Sequence, residues 1–317
     1  MIILAIETSC DETSVAILND KKILSNVTIS QILDHSKYGG VMPGLAARLH
    51  LKNIKEVFLT ALKKSKLNIE DIEYVSYTDS PGLIICLQIG KIIAETFSLF
   101  LNIPIIPCNH LWGHAYASLI NKNDEWEFPA LSLIISGGHT QLYKINNHWD
   151  FEIIGETLDD AVGECLDKAA TIIGYEYPGG PIIERLSLSG NNTYKLPLPK
   201  NDKTLDFSFS GLKSEIKRIF NKEKNSLNHN DLSFSLQFSI EKILSKKMVL
   251  ALEKVNPKTV IIGGGVIANK HFRNSFISTI NQFDKKINIF IPDHEYCTDN
   301  AAMIGILSYY KLRNFER

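Results

Sequence analysis

A short apolar run, a tip of small polar residues and a second apolar run stand near the start of this chain and again near its middle. That recurrence limits the folds open to it. Ile2 to Ile6 is an uninterrupted, β-branched run of the kind that forms a buried strand. It breaks at Glu7-Thr-Ser-Cys-Asp-Glu-Thr-Ser14 and resumes as Val15 to Leu18, a hairpin pattern. Leu131 to Ile135, the turn Ser136-Gly-Gly-His139 and Thr140 to Ile145 repeat the layout with different residues. Further strands are expected at Val75–Tyr77, Ile103–Ile106, Thr259–Ile262 and Ile287–Ile291. Helical spacing runs over Leu45–Lys64, Ile89–Phe100, Asp160–Gly174, Pro181–Leu188, Leu212–Phe220, Leu232–Val255 and Lys270–Ile280, with a last helix from Asp299. Strands alternating with helices imply an α/β architecture. Two halves with the same opening imply a duplicated domain with a nucleotide cleft between. The expected division is 1–127, then 128–297 from about Phe128-Pro129, with a terminal helix of about 298–317 packing back on the first domain.

At 317 residues the chain suits two domains of ordinary size. Lys and Arg number 34 against 35 Asp and Glu, so the net charge is -1 and nothing announces a nucleic-acid binder. Any RNA must be met by a local basic patch or a partner protein. The five cysteines, Cys10, Cys86, Cys108, Cys165 and Cys297, are odd in number and lack C-x-x-C spacing, which argues against a disulfide framework or zinc knuckle. The first residues lack the basic and apolar regions of a signal peptide. No uncharged apolar stretch approaches the ~20 residues of a membrane span. A reducing cytoplasm, with no membrane, is the expected location.

Several stretches can carry chemistry. His110-Leu-Trp-Gly-His114 places two imidazoles at i and i+4, on one face of a helix, where both can reach a single metal ion. Taken alone, the pair could equally be one packed and one solvated histidine. It follows an expected strand, where α/β clefts form, and Asp299 offers a third ligand. A zinc protease of the H-E-x-x-H kind needs Glu at the position of Leu111, which disfavours that chemistry. Ser136-Gly137-Gly138 and Gly263-Gly264-Gly265 end buried runs, and such turns can present backbone N–H groups to phosphate or serve as tight turns only. Neither matches a dinucleotide fingerprint or a P-loop. Asp160, Glu164, Asp167 and Lys168 lie at helical spacings, as a solvated salt-linked face would. Glu184, one turn past Pro178-Gly-Gly-Pro181, could hold ribose hydroxyls. The loop Glu7–Ser14 is either a catalytic tip or a solvated turn.

Taken together these stretches resemble the tRNA adenosine threonylcarbamoyltransferases, the TsaD/Kae/Qri group on the actin-like (acetate kinase–Hsp70–actin) fold. The matching segments are Glu7–Ser14, Gly39–Pro43, His110–His114, Ser136–Gln141, Gly155–Lys168, Tyr177–Pro181, Phe207–Lys213, Gly263–Asn269 and Cys297–Met303, collinear over nearly the whole chain. The resemblance implies two actin-like domains flanking the cleft. It implies one divalent metal, Fe2+ or else Zn2+, on His110, His114 and Asp299. Ile134, Ile135, Ser136, Gly137, Gly138, Asp167, Gly180, Glu184 and Asn269 would contact threonylcarbamoyl-AMP, and Asp11 would be the acidic residue nearest the reacting group. The implied reaction moves the threonylcarbamoyl group onto the N6 amine of the adenosine at position 37, in the anticodon loop of ANN-decoding tRNAs, and releases AMP. Implied protein partners are a paralogous actin-like subunit and a small P-loop ATPase. The chain departs from the family's usual residues at Gly44, Trp112 and Ser80–Gln88, none of them an implied metal or adenylate contact. A kinase or ATPase of the same fold and a non-catalytic scaffold are the competing readings. Metal content and the effect of losing His114 separate them from the transferase.

Overall fold

The structure, a computed structural model, describes residues 1–223 and 226–315. Residues 316 and 317 of the expected terminal helix lie outside the described residues. The chain opens with a three-stranded meander: β1 (Ile2–Glu7), β2 (Glu12–Asn19) and β3 (Lys22–Ser30). A short α1 (Ile32–Ser36) leads to α2 (Pro43–Ser65), which starts on a proline, as helices favour, and stops at Lys66 in the left-handed conformation. Then come β4 (Tyr74–Ser80), α3 (Ile84–Leu101), β5 (Ile105–Asn109) and α4 (His110–Tyr116).

A second meander follows: β6 (Ala130–Ile135), β7 (Thr140–Asn147) and β8 (Asp150–Glu156). Four helices come next, α5 (Val162–Ile172), α6 (Gly179–Ser187), α7 (Ser210–Glu223) and α8 (His229–Val255). Strand β9 (Thr259–Gly263), α9 (Lys270–Phe283) and β10 (Asn288–Phe290) complete this part, and α10 (Ala301–Phe315) follows.

Two compact units result. One comprises Met1–Glu125 with the stretch from Pro292 onward, the other Trp126–Ile291. The sequence-based division broke after 127 and resumed at 298. The first sheet has the order β3-β2-β1-β4-β5 and the second β10-β9-β6-β7-β8, the same order read from its other edge. In both, the first strand pairs antiparallel with the second and parallel with the fourth. The duplication inferred from the two hairpins is therefore a repeat of five-stranded topology.

The first sheet buries Leu4, Ile6, Val15, Ile17, Val75 and Tyr77 with Val57 and Ala61 of α2 and Ala94 of α3. Against β1 and β2 lies α10, whose Met303, Ile304, Ile306 and Leu307 are fully buried. In the second sheet every residue of β6 and β9 is buried, as near-continuous apolar runs require when both faces are covered. Among the described residues one helix, α3, meets the length and composition of a membrane span, although Lys91 and Glu95 interrupt it. Its Cys86, Ile89, Gly90 and Ala94 are buried, while Ile84, Ile92, Leu99 and Phe100 remain exposed.

Candidate functional site: a His–His–Asp set and a chain of linked turns

In the first unit, α4 begins directly where β5 ends. Asn109 caps it, its side chain accepting from the Trp112 N–H at 3.0 Å. The helix keeps His110 and His114 on one side, their rings 4.7 Å apart between centroids. Gly113 lies between them, and a Cβ there would stand 3.0 Å from Ile304 Cδ1, so a larger residue would press on the side chains of α10. Just before α10, Asn300 accepts from the Met303 N–H at 3.1 Å and donates to Thr298 O at 2.8 Å. Ala301 N donates to Ser14 Oγ of β2 at 2.9 Å. These bonds fix Asp299 in the stretch ahead of α10, two residues short of the helix start at which the sequence placed it.

Asp299 Oδ1 stands 3.1 Å from His114 Nε2 and 3.6 Å from His110 Nε2. Candidate ligand atoms of the three residues all lie within 4.8 Å of one another. His114 is fully buried, yet neither ring nitrogen makes a hydrogen bond; Nε2, although 3.1 Å from Asp299 Oδ1, is not aligned for one. A buried polar nitrogen left in that state costs about 1–3 kcal/mol. A cation at this point would give it a partner, and two imidazoles with one carboxylate are a donor set that Fe2+ and Zn2+ both accept. The residues fit such an ion.

The Nδ1 side of His110 is occupied by protein. Glu7 Oε2 and Ser9 Oγ each lie 3.2 Å from it. Burial drives the His110 imidazole down, but the carboxylates of Asp299 and Glu7 outweigh it and push the group up to about 9. Burial likewise pushes Glu7 up, and the charge and hydrogen bond of His110 reverse this and hold the carboxyl below its usual range. Asp11, on the same β1–β2 loop, is 6% exposed. Burial and the charges of Asp11 and Asp299 push Glu12 well up, and burial pushes the Cys10 thiol up, so Cys10 is no thiolate nucleophile. The sequence singled out this loop and chose Asp11 within it. The place of Glu7, a carboxylate ending a buried apolar strand, had a visible signal in that position alone.

In the second unit the expected adenylate contacts are joined in series. Ile134 and Ile135 are fully buried in the centre of the sheet, so their exposed chemistry is backbone only. Ser136 O and Gly137 O accept from Gly163 N and Glu164 N at the start of α5. Gly137 and Gly138 face open space. From α5, Asp167 Oδ1 accepts from Gly179 N at 2.7 Å and Gly180 N at 3.2 Å, which ties down the first turn of α6. One turn on, Glu184 Oε1 accepts from Lys270 N at 2.9 Å, at the start of α9. Asn269 caps α9 through His271 N and Phe272 N and donates to Gln237 Oε1 at 2.8 Å. From the end of β6 onward, Ser136, Gly137, Asp167, Gly180, Glu184 and Asn269 thus lie on segments joined one to the next by these bonds. Sequence reasoning missed Gln237, a buried glutamine on α8 with no motif to mark it.

Fold and site together define an actin-like α/β protein carrying a His–His–Asp set. HypF from T. kodakarensis superposes with a TM-score of 0.70 at 12% identity, over 99% of this chain and 48% of that one. A ROK hexokinase from Thermus thermophilus gives 0.51 at 12% identity, over 99% of this chain and 100% of that one. At such identities the likeness establishes the fold. The family model for tRNA N6-adenosine threonylcarbamoyltransferase matches residues 22–306, and the protein of that name from Mycoplasma capricolum subsp. capricolum is 47% identical over 316 residues, 98% of each chain. The chain belongs to the tRNA N6-adenosine threonylcarbamoyltransferase family.

Proposed function

We propose that this chain transfers the threonylcarbamoyl group from threonylcarbamoyl-AMP to the N6 amine of adenosine 37 in ANN-decoding tRNAs, with a divalent metal on His110, His114 and Asp299. Family membership supports the reaction class, and the single observation that carries the metal is the convergence of those three side chains within 4.8 Å. In the transfer the amine nitrogen bonds to the carbamoyl carbon, the bond from that carbon to the AMP phosphate oxygen breaks, and the amine proton is lost. AMP leaves as a stable anion, so the chain needs no strong acid. The metal, Fe2+ or Zn2+, supplies Lewis-acid polarisation and a template for orientation. Asp11 is the acidic residue offered to the reacting group. In the second unit the open Gly137-Gly138 turn offers backbone N–H groups to phosphate, and Glu184, with one oxygen on Lys270 N, keeps the other for a ribose hydroxyl. The target base is reached in a single-stranded loop, where unstacking is cheap.

The paralogous subunit and the P-loop ATPase are proposed as partners. Support for a protein partner comes from the exposed apolar residues Ile84, Ile92, Leu99 and Phe100 of α3. Five free thiols, four of them buried, fit a cytoplasmic setting. The test is reconstitution with threonine, bicarbonate, ATP, an adenylate-forming enzyme, the partner subunits and unmodified tRNA, followed by mass spectrometry of the nucleosides. Threonylcarbamoyladenosine is expected with this chain and is absent with His114→Ala. Equal yield with and without this chain rules the assignment out.

A further inference from the structure

We propose that Glu7 is the positioning residue that presents His110 to the metal, by holding the Nδ1 proton so that Nε2 keeps its lone pair for the ion. The inference rests on the metal reading above. It starts from a group that is costly to bury: Glu7 closes β1 and is fully shielded from solvent. A carboxylate survives there only if its oxygens have partners, and both do. Oε1 accepts from Ser9 N, and Oε2 accepts from Thr78 Oγ1 of β4 and faces His110 Nδ1 at 3.2 Å. Three elements of the first unit therefore meet on one acid.

That arrangement has a directional consequence. A carboxylate only accepts, so the ring nitrogen facing it must carry a proton. Ser9 Oγ also stands 3.2 Å from Nδ1, but a charged acceptor outcompetes a hydroxyl for the same proton. With Nδ1 held protonated by the acid, Nε2 is the nitrogen left to give up its proton to an arriving ion, and Nε2 is the atom that faces Asp299. Outer partners of this kind orient a ligating imidazole and raise its basicity.

Glutamine at position 7 makes this testable. Its amide has one oxygen and one donor. If the oxygen faces Ser9 N, the NH2 group meets Nδ1 as a donor and selects the tautomer that cannot ligate through Nε2. If it is flipped, the NH2 group meets the Ser9 N–H instead, donor against donor. Either outcome weakens the site without changing the volume of the side chain.

The experiment is Zn2+ binding to the full chain by chelator competition, for wild type, Glu7→Gln, Ser9→Ala and His114→Ala, with thermal melts in parallel. Glu7→Gln is expected to bind Zn2+ about 10–100-fold more weakly, the range measured for outer partners of metal-bound histidines. Ser9→Ala is expected to lose less. Wild-type affinity in a folded Glu7→Gln overturns the proposal and leaves the metal site standing. Wild-type binding no tighter than that of His114→Ala means the metal reading has failed and takes the Glu7 assignment with it. Should Glu7→Gln not fold, histidine 15N correlation spectra of the Zn2+-loaded wild type decide. A proton on His110 Nδ1 supports the assignment, and its absence overturns it.

Discussion

His50 shows how one side chain couples the β1–β2 loop to the helices behind it. Fully buried in α2, it faces Thr13 Oγ1 at 2.8 Å, Cys10 O at 3.0 Å and Gln31 Nε2 at 3.3 Å. Burial pulls its pKa below the ordinary 6.5, with a small push the same way from His35; the Cys10 carbonyl and the charges of Glu7 and Asp11 pull in the opposite direction without prevailing. The native state therefore takes up its proton at lower pH than the unfolded chain does. The stability contributed by neutral His50 is complete above pH 6.5 and is lost as pH falls from there towards the depressed native value. A single proton changes stability by at most about 1.4 kcal/mol per pH unit. Urea midpoints between pH 7.5 and 5.5 should fall more steeply in wild type than in His50→Gln, and parallel curves would refute this. At the proposed metal set, His114→Ala removes an imidazole that makes no hydrogen bond and loses only its 3.1 Å contact with Asp299. Metal affinity should drop by more than the about 10–100-fold of an outer partner, with little change in melting temperature. Elemental analysis and calorimetry on the same sample check both halves of that statement.

At the scale of elements, Gly264 is the position where backbone shape is most demanding. Its φ of +96° and ψ of 161° lie in a region open essentially to glycine alone, and a Cβ there would stand 2.3 Å from Ile135 O. Gly264→Ala should destabilise the chain by at least the ~1–3 kcal/mol of such a conformation, read as a lower urea midpoint; an unchanged midpoint would show that the turn relaxes. Which elements could be read from residues follows from burial. Strands β1, β6 and β9 are apolar runs covered on both faces, and their periodicity is plain. Strands β3 and β8 escaped notice because they lie at sheet edges and alternate with Lys22, Ser25, Asn26, Asp150 and Glu152. Helix α3 began five residues before its expected start because Ile84-Ile-Cys-Leu is as strand-like as it is helical. Periodicity has no means of bringing Asp299 to His114. That came from motif resemblance, and the packing of α10 against β1 and β2 supplies the physical reason.

For the molecule as a whole, the first unit depends on a helix that arrives after the second unit has been traversed. Met303, Ile304, Ile306 and Leu307 are each fully buried, and at about 1.5–3 kcal/mol apiece they account for on the order of 6–12 kcal/mol. That is comparable to the entire stability of an ordinary domain, about 5–15 kcal/mol. A chain ended after Ile291 should therefore lose amide-exchange protection in β1, β2 and β4 while β6 and β9 keep theirs. Retained protection in β1 would overturn the claim. There is also a temporal side to this layout. Domains commonly finish in the order in which the ribosome releases them. Here the middle segment is complete once Ile291 is made, whereas the opening sheet, although its five strands are made earlier, still waits for a helix translated after that segment. Any nascent product halted before Asp299 carries both imidazoles but not the acid that completes their set, so on the proposed metal reading only chains that have passed that point could hold the ion with all three.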